Sequence, residues 1–298
     1  MATCRRGPGA RTVSDATKLL FVGLPQSGKT TYLAALWHVL EDQSSATKLK
    51  LKQLSGDRTY LNLIVEAWRA CTPVPRTTLQ TDDTTVALHL EGDGFGEFTL
   101  SVPDLGGEAF EQQIEHRKMS AAHGALFREA NGVLLFVHPD VKKGTQISDQ
   151  DHITASIGGA TEAGSGANGH ATAVPVPWKV EMLPTQAKLV ELLQFLLELV
   201  DQRLRVAVVV SAWDLVADVG QTPREYVSGR LPLLRQFLDA NDDIVDHAVF
   251  GISAQGGAIP DDKSKLLELD SLKRIRVCHD SENDHDITKP LAWLLGGK

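Results

Sequence analysis

The sequence predicts an α/β fold: a mainly parallel central sheet, helices on both faces, and one antiparallel strand at an edge. Three observations lead there. Short apolar runs alternate with segments of helical period along the chain. The runs KLLFV (18–22), GVLLFVH (132–138) and RVAVVV (205–210) are continuously apolar, the mark of strands covered on both faces. The turn joining the first run to the first helix is rich in glycine, as close βα connections are.

Taken in order, residues 1–16 read as a flexible tail and 17–298 as one domain. After the first strand and its loop, Leu33, Leu36, Trp37 and Leu40 recur on one face of a helix. A strand–helix insertion near 45–72 follows, with the alternating LKLKL and then a helix over 57–70 carrying Leu61, Ile64, Val65 and Trp68. A Thr- and Pro-rich loop spans 72–83. Strands near 85–90 and 98–102 flank the turn EGDGFGE and read as an antiparallel hairpin. Residues near 145–180, including SIGGATEAGSGANGHATAV, are small and polar and read as a disordered insertion. A strongly apolar helix covers 184–201. Thr222-Pro223-Arg224-Glu225 is a capping box with proline at the first helical position. A strand near 247–252 and a closing helix, DITKPLAWLL, complete the chain.

The 298 residues carry 30 Lys and Arg against 38 Asp and Glu, a net charge of -8. An acidic surface repels nucleic acid and anionic membranes, so neither is an expected partner. The most apolar helix contains Glu191, Gln194 and Glu198 and is too short to span a bilayer. The start of the chain has arginines but no apolar stretch of the kind a secretory signal needs. Cys4, Cys71 and Cys278 lie at no metal-site spacing, which suits a reduced, cytoplasmic setting.

The segment Gly23-Leu24-Pro25-Gln26-Ser27-Gly28-Lys29-Thr30 has the pattern G-x-x-x-x-G-K-[ST]. Glycines let backbone N–H groups encircle a polyphosphate, and the helix start adds its dipole. Lys29 brings a cation to the β/γ-phosphates, and Thr30 brings a hydroxyl to Mg²⁺. The expected nucleotide contacts are therefore Gly23, Gln26, Ser27, Gly28, Lys29, Thr30 and the adjoining Thr31. At the end of the strand FTLSVPD, Asp104 is placed to hold Mg²⁺, and Gly107 to offer its N–H to a γ-phosphate. Asp214, just past VVVSAW, can accept two hydrogen bonds from a guanine edge. Backbone at Ser253-Ala254 can donate to the guanine carbonyl.

In this order, GLPQSGKT, DLGG, SAWD and SAQ resemble the motifs of P-loop GTPases of the Ras-like, translation-factor-related class. The extra strand–helix piece and the ending DITKPLAWLL make the chain most similar to bacterial double-GTPase-type proteins, which belong to conflict and signalling systems. The resemblance implies a P-loop fold that binds GTP or GDP with Mg²⁺, hydrolyses GTP and acts as a switch. A protein partner or second GTPase is implied, with self-association open. It also implies a first-switch threonine on Mg²⁺, for which Thr77, Thr78, Thr81 and Thr84 are available; Thr78 or Thr81 is favoured. Glu108 stands where such proteins carry a water-orienting glutamine, and Arg76 lies in the presumed switch. Glu108, Arg76 and Lys29 are the catalytic candidates.

Three departures stand out. Ser211 and Ala212 replace the asparagine and lysine of the base motif, and Gln255 replaces a lysine of the last motif. Without the lysine stem there is no obvious base clamp; Trp213 is read as core in preference to a stacking replacement. Two other readings follow: a nucleotide-binding adaptor with little turnover, and an ATPase of related fold, against which Asp214 and Ser253-Ala254 count. His279, Asp280, His285 and Asp286 fit no compact metal motif.

Overall fold

The computed structural model describes residues 16–42, 47–74, 86–103, 107–140, 179–217 and 220–297. Its elements run β1 (Thr17–Gly23), α1 (Lys29–Glu41), β2 (Leu49–Ser55), α2 (Arg58–Arg69), β3 (Val86–Gly92), β4 (Gly96–Val102), α3 (Glu108–His116), α4 (Ala121–Arg128) and β5 (Gly132–Val137). They continue with α5 (Thr185–Leu199), β6 (Leu204–Ser211), α6 (Pro223–Arg230), α7 (Pro232–Ala240), β7 (Val245–Ser253), α8 (Lys263–Glu268), α9 (Ser271–Arg274), β8 (Arg276–His279), β9 (Glu282–Asp284) and α10 (Lys289–Leu294).

The strands form a nine-stranded sheet in the order β2-β3-β4-β1-β5-β6-β7-β8-β9. Every pairing from β4 to β7 is parallel. The fold class is the one expected, but its antiparallel part is larger than a single edge strand. β2 and β3 extend the sheet beyond β4, and β8 and β9 extend it beyond β7. The second extension escapes the sequence pattern because β8 and β9 have only four and three residues. Period-based reading also passes over α3 and α4, which are short and bury few side chains each.

Because successive strand side chains point to opposite faces, β1 feeds two cores. Leu19 and Phe21 enter one, with α1, α2 and α10; Leu20 and Val22 enter the other, with α3, α5, α6 and α7. In the first, Phe21, Tyr32 and Phe136 meet with ring centroids 4.8–5.4 Å apart. Each such ring stabilises the core by about 1.5–3 kcal/mol through burial. The Tyr32 hydroxyl donates to Ile287 O at 2.7 Å, tying the closing segment to α1, and burial pushes its pKa well up.

The expected insertion near 45–72 is occupied by β2 and α2, with Asp57 capping α2 by accepting from Thr59 N at 2.8 Å. The capping box at α6 is complete in both directions. Helix α5 is one-sided: Leu189, Leu192, Leu193 and Leu196 are buried, whereas Gln194 and Glu198 face outward. Most of the expected disordered insertion, and the expected tail, lie outside the described residues. Its far end does not fit that reading: Val180, in a 3₁₀ turn at 180–182, is buried in the second core beside α3.

Candidate nucleotide-binding site

β1 sits between β4 and β5, so its C-terminal end opens among the parallel strands with a parallel neighbour on each side. The loop leaving it needs glycine at two points. A Cβ on Gly23 would stand 2.7 Å from Ser27 Oγ and 3.0 Å from Phe136 O. Gly28 caps α1 with φ +90°, and a Cβ there would stand 2.6 Å from Ser211 Cβ. Between them Gln26 takes φ 61° at the exposed tip. The glycines hold the loop in a tight cradle at the start of α1, where the first-turn amides and the helix dipole favour an anion.

Lys29, the first residue of α1, is only 2% exposed. Its ammonium donates to Gly23 O at 2.7 Å and Leu24 O at 3.0 Å, with Ser27 Oγ at 3.5 Å. It lies 5.9 Å from the centroid of Phe110 on α3. Ser27, Thr30 and Thr31 line the cleft beside it.

On the switch side, Gly107 caps α3 with φ +90° and is buried. A Cβ there would meet Leu24 C and Pro25 N at 2.5 Å, so this glycine leans on the phosphate-loop backbone. Glu108 follows it, exposed and lining the cleft. Asp104, Arg76 and Thr78, like Thr77, Thr81 and Thr84, lie outside the described residues. A second set of contacts holds α3: Lys188 on α5 pairs with Glu111 at 2.7 Å, and Arg117 pairs with Glu191 at 3.1 Å.

On the base side, β6 ends at Ser211 and the chain turns through Ala212 at φ 43° into a 3₁₀ turn over 213–215. Trp213 is core: it is 5% exposed, meets Tyr226 edge-on at 5.7 Å, and leaves room only for hydrogen at Gly251. Asp214 remains half-buried at the cleft, and its Oδ1 accepts from the Ser253 hydroxyl. The same hydroxyl accepts from Gly256 N at 3.0 Å, which fixes the loop after β7. Asp214 and Ser253, separated widely in sequence, are therefore brought together, and Ala254 adjoins them.

The rest of the base side was not legible in the motifs. Trp68 Nε1 donates to Ala254 O at 2.9 Å, and Gln255 Nε2 donates back to Trp68 O at 3.3 Å. Arg274, 3% exposed, covers the Trp68 ring at 4.7 Å and donates to Cys71 Sγ at 2.6 Å. Helix α2, from the insertion, thus braces the loop carrying Ser253 and Ala254. Thr72, Pro73 and Val74 follow it and wall the cleft. His138 and Ser211 also line the cleft, side by side at the ends of β5 and β6. Burial holds the His138 pKa below the ordinary imidazole value, against the upward pull of Asp140 and Asp214. The signal for His138 was available: it is the polar residue ending an otherwise apolar strand run.

The cleft has a volume of about 480 Å³, within the range of small-molecule sites. No group of three or more His, Cys, Asp or Glu suited to a metal occurs among the described residues. His279 and His285 instead contact backbone carbonyls, Val249 O at 3.0 Å and Ile275 O at 2.5 Å. No described helix is long and apolar enough to cross a membrane.

Among solved structures, the chain is similar to the signal recognition particle receptor SRb-GTP/SRX complex from Chaetomium thermophilum, with 15% identity over 86% of this chain and 98% of that one, TM-score 0.38. A putative nucleolar GTP-binding protein 1 from Plasmodium falciparum matches with 11% identity over 86% and 89%, TM-score 0.35. The GTP-bound Ski7 GTPase-like domain of S. cerevisiae matches with 12% identity over 81% and 43%, TM-score 0.38. No curated protein matches the chain. The family profile described as Double-GTPase 1 matches residues 20–294, from β1 through α10. With the phosphate loop and the cleft both inside that span, the chain is a guanine-nucleotide-binding protein of the Double-GTPase 1 family.

Proposed function

We propose that this protein is a Mg²⁺-dependent GTPase that works as a switch. The observation that supports this best is the cradle at Gly23–Thr30, in which glycines are sterically required and a buried lysine lies against loop carbonyls. In the proposed complex Lys29 turns from Gly23 O and Leu24 O to the β/γ-phosphates. The amides of the loop and of the first turn of α1 bind phosphate oxygens. Asp214 accepts from guanine N1–H and the 2-amino group, and backbone at Ser253-Ala254 donates to O6.

A magnesium ion on the phosphate side is part of this reading. Thr30 enters the cleft as a hard hydroxyl donor, and Asp104 and Thr78 are the remaining proposed ligands. The ion would neutralise charge on the β- and γ-oxygens. Glu108 is proposed to orient the attacking water and Arg76 to meet charge developing on the γ-phosphoryl group. Gly107, resting on the loop backbone, couples α3 to the phosphate site. Gaining and losing γ-phosphate contacts would then move the segments around 72–84 and 104–115 between two states.

Phosphate release from GTP by the purified full chain, with and without Mg²⁺ and in competition with ATP, tests this reading. Release from GTP that needs Mg²⁺ and resists excess ATP is the expected result. GTP binding without release would instead support the nucleotide-binding adaptor, which the exposed carboxylate of Glu108 beside a triphosphate favours. Equal use of ATP would overturn the base assignment.

A further inference from the structure

Guanine presents two acceptors, N7 and O6, beside the N1–H and amine donors of its pairing edge. The proposed contacts account for the donors at Asp214 and for O6 at Ser253-Ala254. They leave N7 without a donor. Ser211 ends the strand at this corner but cannot supply one. It is buried, packed against Gly28, and its hydroxyl proton is directed to Val137 O at 3.3 Å.

The residue after Val137 is His138. Val137 pairs with Val210 across the β5–β6 ladder, so His138 lies level with Ser211, on the side away from β7. It shares the cleft wall with Ser211 and Asp214. Its Nδ1 accepts from Asp140 N at 3.1 Å. In a neutral ring with Nδ1 accepting, the proton is on Nε2. Among the described residues Nε2 has no protein partner. Burial favours the neutral ring at pH 7.

We propose that His138 reads the imidazole edge of the guanine base, donating from Nε2–H to N7. The donor that Ser211, buried and bonded to Val137 O, does not provide would thus come from the neighbouring strand, and purine recognition would span β5, β6 and β7. This deepens the GTP-binding reading and rests on it.

The test compares GTP with 7-deazaguanosine triphosphate, in which N7 is replaced by C–H, by calorimetric titration of the full chain with Mg²⁺. Wild-type protein should bind the deaza nucleotide about three- to tenfold more weakly, the size of one neutral hydrogen bond. In His138→Phe the two nucleotides should bind alike, through loss of GTP affinity. His138→Gln, which keeps an amide donor, should recover part of the preference. A wild-type protein indifferent to the deaza substitution would overturn the proposal without any variant. So would an undiminished preference in His138→Phe. Failure of wild-type protein to bind GTP at all would instead sink the nucleotide reading beneath it, so the two failures are distinct.

Discussion

Replacing Asp214 by asparagine separates reading the base from holding the fold together. Oδ1 of Asp214 accepts from the Ser253 hydroxyl, and an amide oxygen can accept the same bond. The loop after β7 keeps its other tie, Gly256 N to Ser253 Oγ at 3.0 Å. Stability should therefore change little. The base edge is affected differently: a carboxylate that matches two guanine donors becomes a group with one acceptor and one donor. Asp214 is half-buried, so water offsets part of the mismatch, and a cost of about 1–2 kcal/mol follows for GTP. That corresponds to about five- to thirtyfold weaker binding. Xanthosine triphosphate carries a carbonyl in place of the guanine amine, so it should gain where GTP loses. Calorimetric titration of both nucleotides into wild type and Asp214→Asn, with melting curves for each, is the assay. Equal GTP affinity in the two proteins, with no gain for the xanthine nucleotide, would refute the assignment of Asp214 to the base.

Lys29→Ala should weaken GTP by about tenfold to a hundredfold, the scale of a charge-assisted contact, while the melting temperature stays close to wild type; unchanged affinity in a titration would count against the cradle. Trp68→Phe removes the indole donor to Ala254 O and should cost about 1–3 kcal/mol of stability, with a loss of GTP affinity although residue 68 is absent from the cleft lining. If melting temperature and affinity both stay put, α2 does not brace the base loop. Burial, the largest cause in each, holds the pKa values of His38, His138 and His247 below the ordinary imidazole value of about 6.5. The unfolded chain therefore takes up protons first, so their contribution to stability is full above about pH 6.5 and declines as pH falls below it. Melting temperature should drop from pH 7 to pH 5, with a shallower slope in His38→Gln; identical slopes would remove His38 from the account.

The brace between α2 and the base loop gives the insertion a physical role. A lysine stem over the base is missing at Ala212, and the cleft is walled instead by Thr72, Pro73 and Val74. These residues follow α2 and open the presumed first-switch segment. The elements that anchor Ser253-Ala254 therefore continue directly into the segment proposed to sense γ-phosphate. Arg274 joins this unit from α9, with its guanidinium against Trp68 and Cys71.

What was readable in the sequence was local. The central strands announce themselves through continuous apolar runs, because a strand covered on both faces admits little else. The phosphate loop is readable for a related reason. Its function depends on consecutive backbone amides and a helix start, so its glycines and lysine must stand at fixed spacing in one segment. The base-side residues Asp214 and Ser253 could be picked out because one lies just past a strong strand and the other ends one. Their hydrogen bond depends on β6 and β7 pairing in register, and no local pattern encodes that register. Trp68, Cys71, Gln255 and Arg274 meet only once α2, the β7 loop and α9 fold onto one another, and nothing in the sequence around any of them points to the other three. The antiparallel extension at β8–β9 has strands too short to show a period, and its partner supplies the hydrogen bonds that define it. Contiguous chemistry was decided by the order of the residues; chemistry shared among distant segments was decided by packing, since only there do their polar groups find partners out of reach of water.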